Sequence, residues 1–174
     1  MNLDNKKWLE QRELYPEVLC CIRQSKSPDD ALPSYEYLFN LKNKIPPELY
    51  AYYFRKLLQF NTKNVSSAFR LKMFEGVSSE DIMYNDELDA IPKLPEYVTI
   101  YRGTSSNEKI PGLSWSLKKH IASEYPFNRG RVFEAVIPRK SILLYFAHEE
   151  AEEEIIAHVT SGYRVIEENF LPVQ

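Results

Sequence analysis

Three consecutive glutamates, Glu152, Glu153 and Glu154, are the residues of this chain whose type and spacing most clearly suggest a catalytic role. They run directly into the apolar segment 155–157. If a strand begins here, Glu152 and Glu154 point to one face and Glu153 to the other, because successive strand side chains alternate. Paired carboxylates of this kind recur where a bond to a sugar carbon is broken through a cationic transition state. A solvated acidic turn has the same composition, so only the residues upstream can distinguish a catalytic carboxylate pair from such a turn.

An arginine and two serines upstream also fall on predicted strands. Arg102 ends a segment rich in β-branched and aromatic residues and precedes Gly103, while Ser114 and Ser116 alternate within a second segment. Arginine offers paired planar donors to phosphate or ribose oxygens, and glycine lets a ligand approach the backbone closely. Taken alone, the arginine fits a surface ion pair and the serines fit ordinary strand positions.

The elements that must position these side chains lie in the second half of the chain. Short segments rich in β-branched and aromatic residues, separated by turn signals, predict a mostly antiparallel sheet with one helix over 118–125. The predicted strands are 97–102, 113–117, 131–137, 142–146, 154–159 and 163–167.

The first half reads as helical, since its apolar residues recur at intervals of three and four. Helices are predicted over 4–22, after the Ser27-Pro28 pair, after Pro46-Pro47, over 63–74 and from Ser78. A proline-containing connector at 90–97 then separates the two halves. The predicted fold is α+β, with a helical region over 1–92 that docks a target or acts as a lid or scaffold, and a catalytic core over 93–174.

Composition limits the classes of partner. Of the 174 residues, 44% are hydrophobic and 13% aromatic, which predicts an ordered globular protein. The net charge is −3 without a Lys/Arg-rich run, so nucleic acid as a partner is unsupported. The N-terminus lacks the apolar core of a signal peptide, and no apolar run approaches the ~18 residues of a membrane span. We therefore expect a cytoplasmic protein with no membrane partner.

Other familiar chemistries are not indicated. Cys20 and Cys21 are adjacent, which suits neither a disulfide nor a zinc site, and we expect both in the core of a helix. The histidines His120, His148 and His158 form no metal-binding spacing, so no metal is expected. No glycine-rich phosphate-binding motif of a dinucleotide-binding or P-loop fold is present among the 5 glycines.

The order of the three motifs is similar to that of the Arg-Ser-Glu class of mono-ADP-ribosyltransferases, which includes bacterial toxins and small bacterial and phage proteins. The matching motifs are Tyr101-Arg102-Gly103, Ser114-Trp115-Ser116 and Glu152-Glu153-Glu154. The resemblance covers roughly residues 97–170 and implies an ADP-ribosyltransferase-like β-sandwich. It departs at Trp115, where the toxins usually carry threonine, and in the short interval between Arg102 and Ser114. As the middle residue of its motif, Trp115 is expected to face away from the site.

The resemblance also implies roles. Arg102 and Gly103 would bind NAD, the substrate, and Glu154 would stabilise the positive charge that develops on the nicotinamide ribose. Ser114 would orient Glu154, and Ser116 would support the strand or the nicotinamide pocket. Glu152 lies where the class engages the acceptor, and a glutamate there resembles the arginine-modifying members.

Residues of the loop after the serine motif extend this set. Relatives place an aromatic and a basic residue there, near nicotinamide and phosphate, which makes Tyr125, Phe127 and Arg129 candidates for cofactor contact, although aromatics at a helix end also simply pack. The expected activity is NAD-dependent mono-ADP-ribosylation of a protein, on arginine, with release of nicotinamide, in a toxin, phage or effector setting in the cytoplasm of a bacterium or an infected host. An NAD glycohydrolase and a catalytically silent binding or inhibitory protein of the same fold are the alternatives.

Overall fold

The structure of the chain is a computed structural model that describes residues 16, 20, 31–60, 64–105, 112–124, 129–147 and 153–170. The chain divides into two compact units, Met1–Ile82 and Met83–Gln174. The predicted division at 92/93 into a docking or scaffold region and a catalytic core stays a prediction. Cys20 is helical but exposed, so the expectation that it lies in a core is wrong, and Cys21 lies outside the described residues.

The described part of the first unit is helical, as predicted. The second of its helices begins at Pro47, where proline is tolerated because the first helical position needs no N–H donor. Ser66 caps the third, its hydroxyl accepting a hydrogen bond from Phe69 N at 3.2 Å. Aromatic side chains of the first two described helices lie in the core: Tyr35, Tyr50, Tyr53 and Phe54 are buried. The described helices are α1 Ala31–Leu41, α2 Pro47–Phe60, α3 Ser67–Phe74 and α4 Ser79–Ile82.

The second unit combines two described helices with six strands. Helix α5 spans Asn85–Ala90 and is followed by a 3-10 turn, Ile91–Lys93; helix α6 spans Lys119–Glu124. The strands are β1 Tyr97–Ser105, β2 Ser114–Ser116, β3 Arg129–Pro138, β4 Ile142–Phe146, β5 Glu154–Ala157 and β6 Tyr163–Phe170.

These strands form one open six-stranded sheet in the order β4-β5-β2-β1-β3-β6. Every neighbouring pair is antiparallel. The mixed helix-and-strand class and the antiparallel sheet predicted from the sequence are thus confirmed for the described residues. Arg102, Ser114 and Glu154 lie on β1, β2 and β5, and these three strands are adjacent in the middle of the sheet.

The register of the central strands aligns particular side chains. Tyr101 on β1 pairs with Ser116 on β2, and Ser116 pairs with Glu154 on β5. Because directly paired residues point to the same face, these three side chains form one row across the sheet. Trp115 pairs with Ile155 on the opposite face, and both are buried. Trp115 therefore faces away from the serine side chains, as expected for the middle residue of its motif.

The bounds of five of the six described strands differ from the sequence prediction, and the difference at the end of β1 has a clear cause. The prediction ends β1 before Gly103, but the strand continues through Gly103 to Ser105. It does so because β1 and β3 stay paired to their ends, with Ser105 opposite Gly130. A glycine costs a strand some stability, but a long ladder of backbone hydrogen bonds offsets that cost. Strand β4 has the predicted bounds.

Glu87 of α5 connects the second unit's helical segment to the end of β4. Its side chain is fully buried. One carboxylate oxygen accepts from Tyr84 N at 2.9 Å and the other from Ala147 N at 3.2 Å. The first contact caps the start of α5, and the second holds the residue that follows β4. Glu87 therefore accepts hydrogen bonds from two backbone donors, Tyr84 N and Ala147 N.

Replacing Glu87 with alanine should destabilise the protein by about 2 kcal/mol, because each buried donor that loses its acceptor costs roughly 1–3 kcal/mol. Denaturant unfolding is the measurement. Asp89→Ala, at an exposed position of the same helix, is the matched control and should change stability little. An equal effect of the two substitutions would show that the Glu87 contacts contribute nothing specific.

Candidate active site

The centre of the candidate site is a hydrogen bond between Ser114 and Glu154. The Ser114 hydroxyl donates to Glu154 Oε1. Ser114 begins β2 and Glu154 begins β5, and the two strands pair directly, with Ser114 opposite Ile156. Both residues are partly exposed, so the carboxylate is fixed by a side chain of the neighbouring strand and still open to a ligand. This is the relation that the resemblance implied for the two residues.

Arg102 joins this pair through the backbone. Its Nη1 donates to the carbonyl oxygen of Ser114 at 2.6 Å. The carbonyl belongs to the residue whose hydroxyl holds Glu154, so the guanidinium, the serine and the carboxylate form one continuous set. A charge-assisted hydrogen bond of this length fixes both the guanidinium and the start of β2.

Gly112 leaves the space in which the guanidinium lies. A Cβ atom at position 112 would come within 2.9 Å of Arg102 Nη2 and 3.1 Å of Cζ, which is closer than van der Waals contact. Arg102 leaves β1 on the face opposite to its neighbour Tyr101, because successive strand side chains alternate. Its guanidinium reaches Ser114 past the uncovered backbone of Gly112. The sequence predicts no role for this glycine, although its position just before β2 and the scarcity of glycine in the chain are signals that could have indicated one.

Ser116 has a different local role from Ser114. It is buried, it lies opposite Glu154 in the register, and its Oγ accepts from Lys118 N at 2.9 Å. That bond closes the turn that follows β2. Ser116 therefore shapes the strand end, and the role expected for it in the nicotinamide pocket stays a prediction.

Two acidic residues beside the site sit close to Tyr145 of β4. Burial raises the pKa of the Tyr145 hydroxyl, and the negative charges of Glu153 and Glu87 raise it further. An ordinary tyrosine is already neutral at physiological pH, and the raised pKa extends that protonated state to higher pH. Tyr145 pairs with Ile155, so it lies on the face opposite to Glu154.

The remaining predicted site residues divide into two groups. Gly103 is buried on β1 opposite Val132, and Arg129 begins β3, where its backbone pairs with Phe170. The other predicted contacts lie outside the described residues; these are Glu152, Tyr125 and Phe127. The structure thus brings together Arg102, Ser114 and Glu154, with Ser116 next to them in the register.

In the described part of the chain, no group of three or more His, Cys, Asp or Glu side chains is arranged to hold a metal ion. Of the helices in that part, none combines the length and apolar character needed to cross a membrane.

The arrangement offers a cation for phosphate or ribose oxygens and a fixed anion for a developing positive charge. Arg102 and Glu154 share Ser114 as an intermediary, since one binds its backbone carbonyl and the other its hydroxyl. A ligand that places anionic oxygens at one end and an electron-poor carbon at the other would be recognised by both.

Ser114→Ala removes the side-chain donor to Glu154 and leaves the carbonyl that binds Arg102. On the expectation of NAD cleavage that the resemblance implies, turnover should fall roughly tenfold with little change in NAD affinity, because one hydrogen bond to a charged group is worth about 1.5–3 kcal/mol and water replaces part of it. Steady-state kinetics measures both quantities. Ser116→Ala is the matched control and should be milder; equal and negligible effects of the two changes would make the segment an ordinary strand.

Comparisons of the chain with protein-family models, with curated proteins and with solved structures find no match.

Proposed function

We propose that the protein is an NAD-dependent mono-ADP-ribosyltransferase whose sheet belongs to an ADP-ribosyltransferase-like β-sandwich. The observation that supports this best is the connected set of Arg102, Ser114 and Glu154 on adjacent strands. The three motifs that resemble the Arg-Ser-Glu class are distant in sequence, yet Arg102 and Glu154 both contact Ser114, one at its backbone carbonyl and the other at its hydroxyl. A chance occurrence of short motifs would not require such contacts.

Arg102 binds phosphate or ribose oxygens of NAD in this proposal. One donor of its guanidinium binds the Ser114 carbonyl, and Gly112 brings no Cβ atom against Nη2, where such an atom would come within 2.9 Å. Because a guanidinium has five donors in a planar fork, it can hold this backbone contact and an anionic ligand at the same time.

Glu154 stabilises the transition state. The bond between the ribose anomeric carbon and the nicotinamide nitrogen breaks, and its electron pair leaves with nicotinamide, which departs as a neutral molecule. The ribose is left with oxocarbenium character, and in this proposal the carboxylate of Glu154 opposes that charge. The hydrogen bond from Ser114 supports this role because it holds the carboxylate in place. Stabilisation arises because the carboxylate is already oriented before the charge forms.

Glu152 directs the second half of the reaction towards a protein arginine. A guanidine nitrogen of the acceptor forms a bond to the anomeric carbon, and the proton it loses passes to the Glu152 carboxylate. With water in place of the acceptor, the same cleavage gives ADP-ribose and a proton, which is the glycohydrolase alternative.

The experiment that tests the proposal is product identification after incubation of the protein with NAD and polyarginine. Mass spectrometry should find ADP-ribose attached to polyarginine in amounts that match the nicotinamide released. Free ADP-ribose as the sole product would assign the glycohydrolase reaction. Undiminished NAD and no product in either form would contradict both enzymatic functions and leave a binding protein.

A further inference from the structure

The turn that follows β2 contacts the residue immediately before Glu154. Leu117 N donates to the backbone oxygen of Glu153 at 3.2 Å, and Lys118 Nζ lies 3.9 Å from Glu153 Oε2. The same turn is fixed to β2 because Lys118 N donates to Ser116 Oγ. Glu153 is therefore held through both its backbone and its side chain by two consecutive residues.

Glu153 has a backbone conformation that needs such contacts. Its φ is +43°, in the left-handed region that side chains other than glycine and asparagine seldom adopt. Outside the folded protein a glutamate would leave this region, so neighbouring contacts must maintain it. The residue after it is Glu154, the first residue of β5. The conformation at Glu153 thus sets the direction from which the chain enters that strand.

The Glu153 carboxylate also interacts electrostatically with Tyr145, on the strand paired with β5. The pKa of the Tyr145 hydroxyl is raised by burial and then by the charge of Glu153. The ion pair with Lys118 is a direct side-chain contact of this carboxylate.

We propose that Lys118 is a positioning residue for Glu154, acting through its ion pair with Glu153. The pair maintains the left-handed backbone at Glu153 and so keeps the Glu154 carboxylate within reach of Ser114. Lys118 needs no contact with NAD for this role. Its effect on turnover rests on the proposed function, whereas its effect on the backbone at Glu153 does not.

The kinetic test compares Lys118→Ala with the wild type and with Lys119→Ala, the exposed neighbouring lysine, as control. We expect kcat for nicotinamide release to fall about three- to fivefold in Lys118→Ala, the change that corresponds to the upper range for a partly exposed ion pair. KM for NAD should stay within about twofold, since no ground-state contact is lost. Lys118→Arg should restore most of kcat. An unchanged kcat, or a change confined to KM, would overturn the proposal.

A double-mutant cycle examines the pair itself. Glu153→Asn removes the carboxylate and tolerates the left-handed backbone, so it should lower kcat no more than Lys118→Ala does. If the two groups act on each other, the double variant should be no slower than either single variant. Independent, multiplicative losses would show that Lys118 acts elsewhere than through Glu153.

Amide hydrogen exchange at Leu117 separates failure of this inference from failure of the proposed function. Leu117 N donates to the Glu153 backbone, so loss of the pair should speed its exchange in Lys118→Ala and not in Lys119→Ala. This readout needs no activity. If the wild type releases no nicotinamide, the proposed function fails, and faster Leu117 exchange still supports the hold on Glu153. Equal exchange in the wild type and in Lys118→Ala would overturn the inference whatever the activity.

Discussion

Replacing Glu154 with glutamine should lower the rate of nicotinamide release from NAD by about 10²–10³-fold, the loss that follows removal of one preorganised electrostatic contact to a transition state. Glutamine keeps the size of the side chain and an oxygen that can accept a hydrogen bond from the Ser114 hydroxyl. It removes the negative charge that opposes the developing oxocarbenium charge. The expected loss is therefore in kcat, with folding and NAD affinity little changed.

The matched control for Glu154→Gln is Glu96→Gln, at an exposed position just before β1. Thermal unfolding of both variants checks that neither substitution disturbs the fold. Nicotinamide release by Glu154→Gln at more than about a third of the wild-type rate, in a folded protein, would be far outside the range of a lost transition-state charge and would remove Glu154 from the mechanism.

Glu152→Gln should separate the two halves of the reaction. It leaves the charge of Glu154 in place, so cleavage of NAD should continue, but it removes the carboxylate assigned to the acceptor arginine. Labelling of polyarginine should therefore be abolished while appreciable nicotinamide release remains, because water can still capture the ribosyl cation. Labelling by mass spectrometry and nicotinamide release, measured on the same samples, give the ratio of transfer to hydrolysis.

Two other outcomes for Glu152→Gln would each contradict the proposed transferase mechanism in a different way. A variant that matches the wild type in both assays would indicate a glycohydrolase. Loss of both activities at unchanged stability would contradict the division of roles and would indicate that Glu152 and Glu154 act as a unit, or that Glu152 is itself the catalytic carboxylate.

The sequence located the strands better than it predicted the contacts between side chains. Segments rich in β-branched and aromatic residues located the six strands of the described sheet, and the bounds of β4 agree with the structure. The relation of Ser114 to Glu154 could be expected because both resemble members of one known motif set. The continuation of β1 past Gly103 was missed, since it depends on pairing with β3 over the full length of the strand.

Contacts that depend on tertiary geometry could not be predicted from the spacing of residues in the sequence. Gly112 matters because the Arg102 guanidinium lies against it, and Glu87 because it accepts from the residue after β4. The hold of Lys118 on Glu153 likewise joins residues far apart in the chain. Each of these requires knowledge of which strands and turns are neighbours, which composition and spacing do not supply.

The most direct measurement for the central claim is release of nicotinamide from NAD by the purified wild-type protein, followed by chromatography beside Glu154→Gln at equal concentration. The proposal predicts nicotinamide that accumulates with time in the wild-type sample and a rate lower by about two orders of magnitude or more in the variant. Nicotinamide released at the same rate by both proteins, or by neither in the presence of polyarginine, would contradict the assignment of Arg102, Ser114 and Glu154 as an NAD-cleaving site.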